Sequence, residues 1–517
     1  MKRSIIIFII TVLWFGSFSF MGIDLHHDGV MLIPAARVAE NAIVFRDVFC
    51  QYGLLSPLLQ GLWLKIFGVE VFALKLLTVL FYGGSAIILD KISRSMTGRF
   101  FNWLPIIMFW LLMPDTMVTT HAWSSVFALF FSLAALWMVQ CSFAGGTASK
   151  VWLAAAGAAV GLTFMARHPS GFFAACAIGI ALTVQAFSGK DKAGRVKNFW
   201  RYTLWCGGGF FAVVLLGALY LLGSGAWDDY ILQCFTYVAN FAWKRGGSGD
   251  WTLFCSTLFP FVSNDIGFYN IIFAVLPLCA LWLLYYSSRL ISGHGECEAD
   301  RARRYSLFAL ALMALGCWPQ YYPVPCVRHL YWAAVPAFAV FAFVIEKLCH
   351  VDGEKRMLCR ISAIVLIFCA VYCSAPRMLG AFQRLRYVNL RFFINSPGIR
   401  GIGLTGREAY FITTLTDTVK KLPESMRKRG VINLSEGAAL TVLLPDSGFR
   451  HPQFLRIIPP VYPDYPDKTA EFISKHRPLI LSDDENAFYP DYQEIWQGEN
   501  MGVVYRLFAP ESGRDER

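Results

Sequence analysis

The chain has 517 residues, of which 56% are hydrophobic and 16% charged, and its mean hydropathy is +0.49. That balance excludes a water-soluble chain of two or three domains and points to a bilayer. The formal charge of +11 does not signal nucleic acid, because Lys and Arg are dispersed in short groups between apolar runs, where membrane topology accounts for them.

The 44 Phe, 21 Tyr and 16 Trp suit lipid-facing helices and interfacial belts. Fourteen cysteines suggest a disulfide framework by number only. Most of them, such as Cys141, Cys176, Cys206, Cys279, Cys317 and Cys369, lie inside apolar runs as small core residues, and no C-x-x-C pair occurs. A bridge between Cys234 and Cys255 is an option if their loop is extracytoplasmic.

The first apolar run, 4–22, follows Lys2 and Arg3. No small-x-small cleavage site comes after it, so an uncleaved first span is expected in place of a signal peptide. Ten further runs approach the ~20 residues a spanning helix needs: 71–89, 100–113, 121–143, 151–166, 169–187, 202–223, 269–287, 305–320, 329–346 and 361–376. Lys and Arg concentrate in alternate connections: Lys2 and Arg3; Lys91, Arg94 and Arg99; 190–201; 289–304; and 347–360. Those connections are expected in the cytoplasm, which puts the first long connection, 23–70, and the tail outside a cytoplasmic (inner) membrane.

Loop 23–70 is too long for a plain connection in a compact bundle and suggests a working segment. It opens on "DLHHDG". "VMLIPAARVAEN" then has helical spacing suited to the interface, and "LLSPLLQGLWLKIFG" a second short interfacial helix. Asp28, placed before a helix, is commonly a cap, and Asp24 a wet interfacial carboxylate. The topology, however, gathers Asp115, His121, Arg167, His168, Arg328 and His329 at the same end, and convergent polar groups at one mouth mark a site. Lys75, one turn inside its span, is expected to snorkel outward or face a wet cavity. Few acids interrupt the other spans, which weighs against a proton-coupled transporter.

The tail, 377–517, is polar and lacks cysteine. Thr405 and Glu408 have capping-box spacing before "REAYFITTLTDTVKKL", and "RGVINL", "RPLILS" and "GVVYRLF" have strand patterning, so a small α/β domain is expected.

An outer-face site with carboxylates, cations and bilayer access suits group transfer from a donor that the membrane supplies. A sugar on a polyprenyl phosphate needs only cations for the leaving phosphate and one base for the acceptor hydroxyl. Attack opposite the phosphate inverts the anomeric centre. The series "HHDG", "FRDVFCQYG", "LLSPLLQGLWLKIFG", "LKLLTVL" and "RHLYWAAVP" resembles a bacterial branch of the GT-C superfamily of lipid-phosphosugar glycosyltransferases, over roughly residues 1–376. That superfamily includes the protein O-mannosyltransferases and the lipid A aminoarabinose transferase.

The resemblance implies a transmembrane catalytic domain over 1–376 and an outer C-terminal domain. It implies Asp28 as catalytic base with Asp24 as second choice, and Lys75, Arg167 and Arg328 on the donor phosphate. His27, His168 and His329 fall in the pocket. The acceptor is then an extracytoplasmic glycan, lipid or protein, although Gly29 stands where the protein-mannosyltransferase pattern has a second acid. Some relatives use a divalent ion, for which His27, Asp24 and Asp47 offer ligands without diagnostic spacing. The rival readings are a transporter or flippase of lipid-linked saccharides and a non-catalytic envelope assembly protein.

Overall fold

The computed structural model describes residues 2–115, 119–145, 149–188, 192–246, 268–292, 298–319, 327–450, 452 and 461–511. Cys255, one partner of the candidate disulfide, lies outside them; Cys234 is a buried free thiol. The protein is an α-helical polytopic membrane protein with a small α/β unit at its C-terminal end.

Among the described residues, eight helices are long and apolar enough to cross a membrane: Val71–Met96, Ser124–Phe143, Ser149–Ala166, His168–Phe187, Ala193–Gly223, Ile272–Ser292, Val327–Cys349 and Arg356–Arg386. The other three expected spans are helical but fall short. Lys2–Gly16 ends where the chain turns at Ser17, Phe101–Leu111 is brief, and Glu298–Gly316 opens on a charged turn. The last apolar helix continues to Arg386, ten residues past the expected end of its span.

At one end of the bundle, Arg3 and Arg94 clasp the fully buried Asp90 at 2.6 and 2.9 Å, Arg303 donates to the Met96 carbonyl at 2.8 Å, and Glu346 accepts from the Gly98 N–H at 2.8 Å. The segments around Arg3, Arg94–Gly98, Arg303 and Glu346 therefore share one end of the bundle.

At the other end, the loop after the first helix carries α-helices at His27–Ala39 (here α1) and Leu55–Phe67 (α2), and Val71–Met96 (α3) follows. Helix α1 is not the interfacial helix its spacing suggests, since every residue from Asp28 to Ala36 is buried. The C-terminal unit covers it. That unit is a four-stranded sheet in the order Val431–Asn433, Leu479–Ser482, Val503–Pro510, Tyr492–Asn500, with the first pair parallel and the others antiparallel. Its helix Gly406–Lys421 begins with the capping box formed by Thr405 and Glu408.

Backbone hydrogen bonds stitch the unit to both ends of the loop. Gly22 and Gly403 pair through Gly22 N–H to Gly403 O at 3.0 Å and Gly403 N–H to Phe20 O at 2.7 Å; Val71 N–H reaches Gly398 O at 2.8 Å, and Ala439 N–H reaches Leu25 O at 2.7 Å. The last contact requires Gly29, because a Cβ there would lie 1.9 Å from the Ala439 nitrogen.

Gly29→Ala is therefore expected to destabilise the docked C-terminal unit by roughly 1–3 kcal/mol, the usual range for overpacking. The check is thermal unfolding in detergent together with protease sensitivity after Arg386. An unchanged transition and an unchanged digest would show that the contact does not hold the unit.

Candidate active site

Asp24 precedes α1 and, not Asp28, provides its cap. Asp24 Oδ1 accepts from the N–H groups of His26 and His27 at 3.0 and 2.9 Å. Asp28, one turn on and 4% exposed, is thereby free to point into the bundle. Its Oδ1 meets His121 Nδ1 at 2.6 Å; its Oδ2 accepts from the Asp24 N–H at 3.0 Å and lies 3.3 Å from Lys75 Nζ.

Lys75 neither snorkels nor lines a wet cavity. It is fully buried in α3 and donates to the Gly22 carbonyl at 2.9 Å. Gly22 has φ 75°, a conformation glycine adopts without strain.

Burial works against ionisation of Asp28, and Lys75 and His121 outweigh it, so its carboxyl stays below the ordinary carboxylate value. Asp24 is likewise held low: burial raises it, and the hydrogen bond from His27 Nδ1, at 2.7 Å, more than compensates. His27 is pushed below its usual value by burial, with Asp24 opposing and Arg328 adding to the depression. It is therefore neutral near pH 7. Arg328 can only donate, at 2.8 Å, so His27 Nε2 accepts and Nδ1–H donates to Asp24.

Trp123 is the hub of the remaining site. Its ring lies 5.3 Å from Tyr52, 5.5 Å from His27, 6.4 Å from His329 and 5.4 Å from the Arg328 guanidinium. Arg167 donates to Ser125 Oγ at 2.5 Å, and the charges of Arg167 and Arg328 both act on the Tyr52 hydroxyl. Gly53 lets this loop touch the chain before Arg167, since a Cβ there would lie 2.1 Å from Met165 O.

The expected set thus divides. Asp24, His27, Asp28, Lys75, Arg328, His329 and Arg167 converge, His329 through its packing on Trp123. His168 turns away to the Tyr230 hydroxyl at 2.6 Å and packs on Phe235. Asp115 pairs with Arg384 at 2.9 Å, and Asp47 with Arg46 at 2.9 Å, so Asp47 is not a ligand beside Asp24.

His121, expected only among the residues at the outer turns, takes a central place, and Trp123 is new. Asp24, His27 and His121 each bring one ligand atom within 4.8 Å of the others, and His27 Nδ1 and His121 Nε2 lie 2.7 and 3.7 Å from Asp24 Oδ2. His121 Nε2 is buried with no hydrogen-bond partner among the described residues, which suits a metal-facing lone pair. His27 fits less well, because its Nδ1 proton already serves Asp24 and Arg328 occupies the other nitrogen. A divalent ion thus has two ready ligands, Asp24 and His121.

Removing Lys75 leaves a buried unpaired carboxylate, which typically costs ~3–5 kcal/mol. Lys75→Met is expected to lower the unfolding temperature sharply, and adding Asp28→Asn to recover much of the loss. Additive losses in the double variant would show that the two charges do not depend on each other.

No protein-family model and no curated protein matches the sequence of this chain. Solved structures do match its fold. ArnT from Cupriavidus metallidurans bound to undecaprenyl phosphate aligns with a TM-score of 0.57 at 12% identity, covering 98% of each chain. The oligosaccharyltransferase AglB from Archaeoglobus fulgidus, in complex with an inhibitory peptide and a dolichol-phosphate, gives 0.54 at 12% identity over 93% of this chain and 69% of its own. That archaeal enzyme is also known as a complex with Zn and sulfate, which gives 0.52 at 14% identity over 92% and 68%. The arabinofuranosyltransferase AftD from Mycobacteria gives 0.52 at 13% identity, and this chain spans 40% of its length. All are GT-C glycosyltransferases, and this chain has the GT-C membrane fold.

Proposed function

We propose that this GT-C-fold protein transfers a sugar from a polyprenyl-phosphate donor to an acceptor hydroxyl on the extracytoplasmic side of a cell membrane, with inversion and with Asp28 as base. The observation that carries the reading is the buried Asp28–Lys75 pair, 3.3 Å apart, with Arg167 and Arg328 on the neighbouring wall. Asp24, Asp28, Lys75, Arg167 and Arg328 together leave a surplus of positive charge, suited to an anionic phosphate. The relatives in fold bind dolichol-phosphate and undecaprenyl phosphate, which supports the same donor class here.

In this mechanism the donor phosphate draws the Lys75 ammonium away from Asp28. Burial then dominates the carboxyl, which becomes more basic while His121 still fixes Oδ1. Asp28 accepts the acceptor's hydroxyl proton as the oxygen attacks the anomeric carbon. The carbon–oxygen bond to phosphate breaks on the opposite face, and the departing phosphate leaves with its electron pair, neutralised by Lys75, Arg167 and Arg328. Asp24, whose side chain is 22% exposed, is the second choice of base.

Asp28→Asn is expected to abolish transfer in a reconstituted assay with a polyprenyl-phosphate sugar while the protein still inserts. Full turnover in Asp28→Asn, with loss in Asp24→Asn, would move the base to Asp24. Movement of labelled lipid-linked sugar across vesicles without product would favour a flippase. The withdrawal of Lys75 has a pH signature. The free enzyme's Asp28 is held below the ordinary carboxylate value, and withdrawal of Lys75 removes its largest lowering charge, so the acid limb of kcat is expected at higher pH than that of kcat/KM. Coincident limbs would show that donor binding leaves the pair intact.

A divalent ion held by Asp24 and His121 would add Lewis-acid charge near the leaving phosphate. Added Zn²⁺ or Mn²⁺ is then expected to raise the unfolding temperature of the wild type and not that of His121→Ala. No shift in the wild type removes the metal from the proposal.

A further inference from the structure

Between the first helix, Lys2–Gly16, and α3, an open groove of about 560 Å³ runs along the end of the bundle that holds Asp90. Ser4, Ile5 and Phe8 form one wall, and Ile87, Lys91 and Arg94 the other. Positions 87, 91 and 94 are three and four residues apart and so share one face of α3, as do 4 and 8 on the first helix. Beyond Phe8 the groove closes, because a Cβ at Gly83 would lie 2.6 Å from the Phe8 ring.

The groove is apolar along its length and basic at its mouth. Both helices change character at the same level: the first turns apolar after Lys2 and Arg3, and α3 turns charged after Leu89. That shared boundary sets the mouth at the depth of the lipid phosphates. Lys91 stands sixteen residues beyond Lys75 on α3, a rise of ~24 Å against a ~30 Å hydrocarbon core, so the mouth belongs to the leaflet opposite the Asp28 cluster. Ile5 is 50% exposed, which leaves the wall open to lipid.

The charge at the mouth is not cancelled within the protein. No acid lines the groove, and at this end Arg3, Lys91, Arg94 and Arg303 stand against Asp90 and Glu346. Arg3 already holds Asp90 at 2.6 Å. Arg94 gives one nitrogen to Asp90 at 2.9 Å and keeps its side chain 39% exposed. The Lys91 ammonium rests 4.0 Å from the centre of the Trp137 ring, a contact that leaves its charge in place, and it makes no hydrogen bond among the described residues.

We propose that this groove binds an anionic phospholipid, with an acyl chain against Ile5, Phe8 and Ile87 and the phosphodiester on Lys91 and Arg94. A zwitterionic headgroup would bring a cation of its own to a mouth that already has two. An anionic headgroup brings net negative charge, and each basic residue at such a surface strengthens binding roughly fivefold. The site is independent of the transfer chemistry, and its test needs no activity.

That test uses the full-length protein, delipidated in a non-ionic detergent and titrated with phosphatidylglycerol or with phosphatidylcholine of the same acyl chains. Native mass spectrometry is expected to show one phosphatidylglycerol retained after other lipids are stripped, and that lipid is expected to raise the unfolding temperature more than phosphatidylcholine does. Lys91→Gln with Arg94→Gln is expected to weaken phosphatidylglycerol binding at least tenfold and to remove the preference, Arg3 still holding Asp90. If that pair fails to fold, Lys91→Gln alone is expected to weaken binding roughly fivefold. Ile87→Trp, which fills the groove, is expected to abolish retention with both charges intact, and Ser4→Phe carries the same expectation from the other wall. Equal effects of the two lipids on the wild type, a shift with inorganic phosphate equal to that with phosphatidylglycerol, or retention that survives the charge variants and the filled groove would each overturn the proposal.

Discussion

Two opposite charges, Asp28 and Lys75, are held out of water at the point where the first loop, the helix Val71–Met96 and the C-terminal unit meet. Removing an ion from water costs several kcal/mol even after relaxation, so such a pair persists only when its remaining hydrogen-bonding capacity is filled. Here much of it is met: His121, the Asp24 N–H and Lys75 serve the carboxylate, and the Gly22 carbonyl accepts one of the ammonium protons. These partners come from three stretches of chain, residues 22–24, Lys75 and His121. The electrostatic requirement therefore fixes where the loop sits.

Close backbone approach does the rest. Gly29 against Ala439 and Gly53 against Met165 leave no room for a side chain, and the hydrogen bonds of Gly22, Val71 and Ala439 tie the loop to the C-terminal unit. A long connection is converted into part of the core, with α1 buried beneath that unit. The C-terminal unit is thus the roof that keeps the Asp28 cluster dry, and a low local dielectric is what lets a neighbouring cation govern the basicity of a carboxylate.

The two ends of the bundle use buried acids differently. Asp90 is clasped by Arg3 and Arg94. At the Asp28 end two acids and three cations share one cluster, and His121 Nε2 is buried 3.7 Å from Asp24 Oδ2 with no hydrogen bond among the described residues.

Sequence alone determined the membrane class, the alternation of basic connections and the strand patterning of the tail, because hydropathy, charge and period are local properties of the chain. It also singled out Asp28, Asp24, Lys75, Arg167 and Arg328 as candidates, since ionisable groups beside apolar runs stand out in any bilayer protein. It did not place His121 at the centre or Trp123 at all, and it gave His168 and Asp47 company they do not keep. Those outcomes depend on which way a loop folds back. Asp24 took the helix cap and released Asp28, a choice between two identical side chains four residues apart that only the Gly29–Ala439 contact and the position of Lys75 could decide.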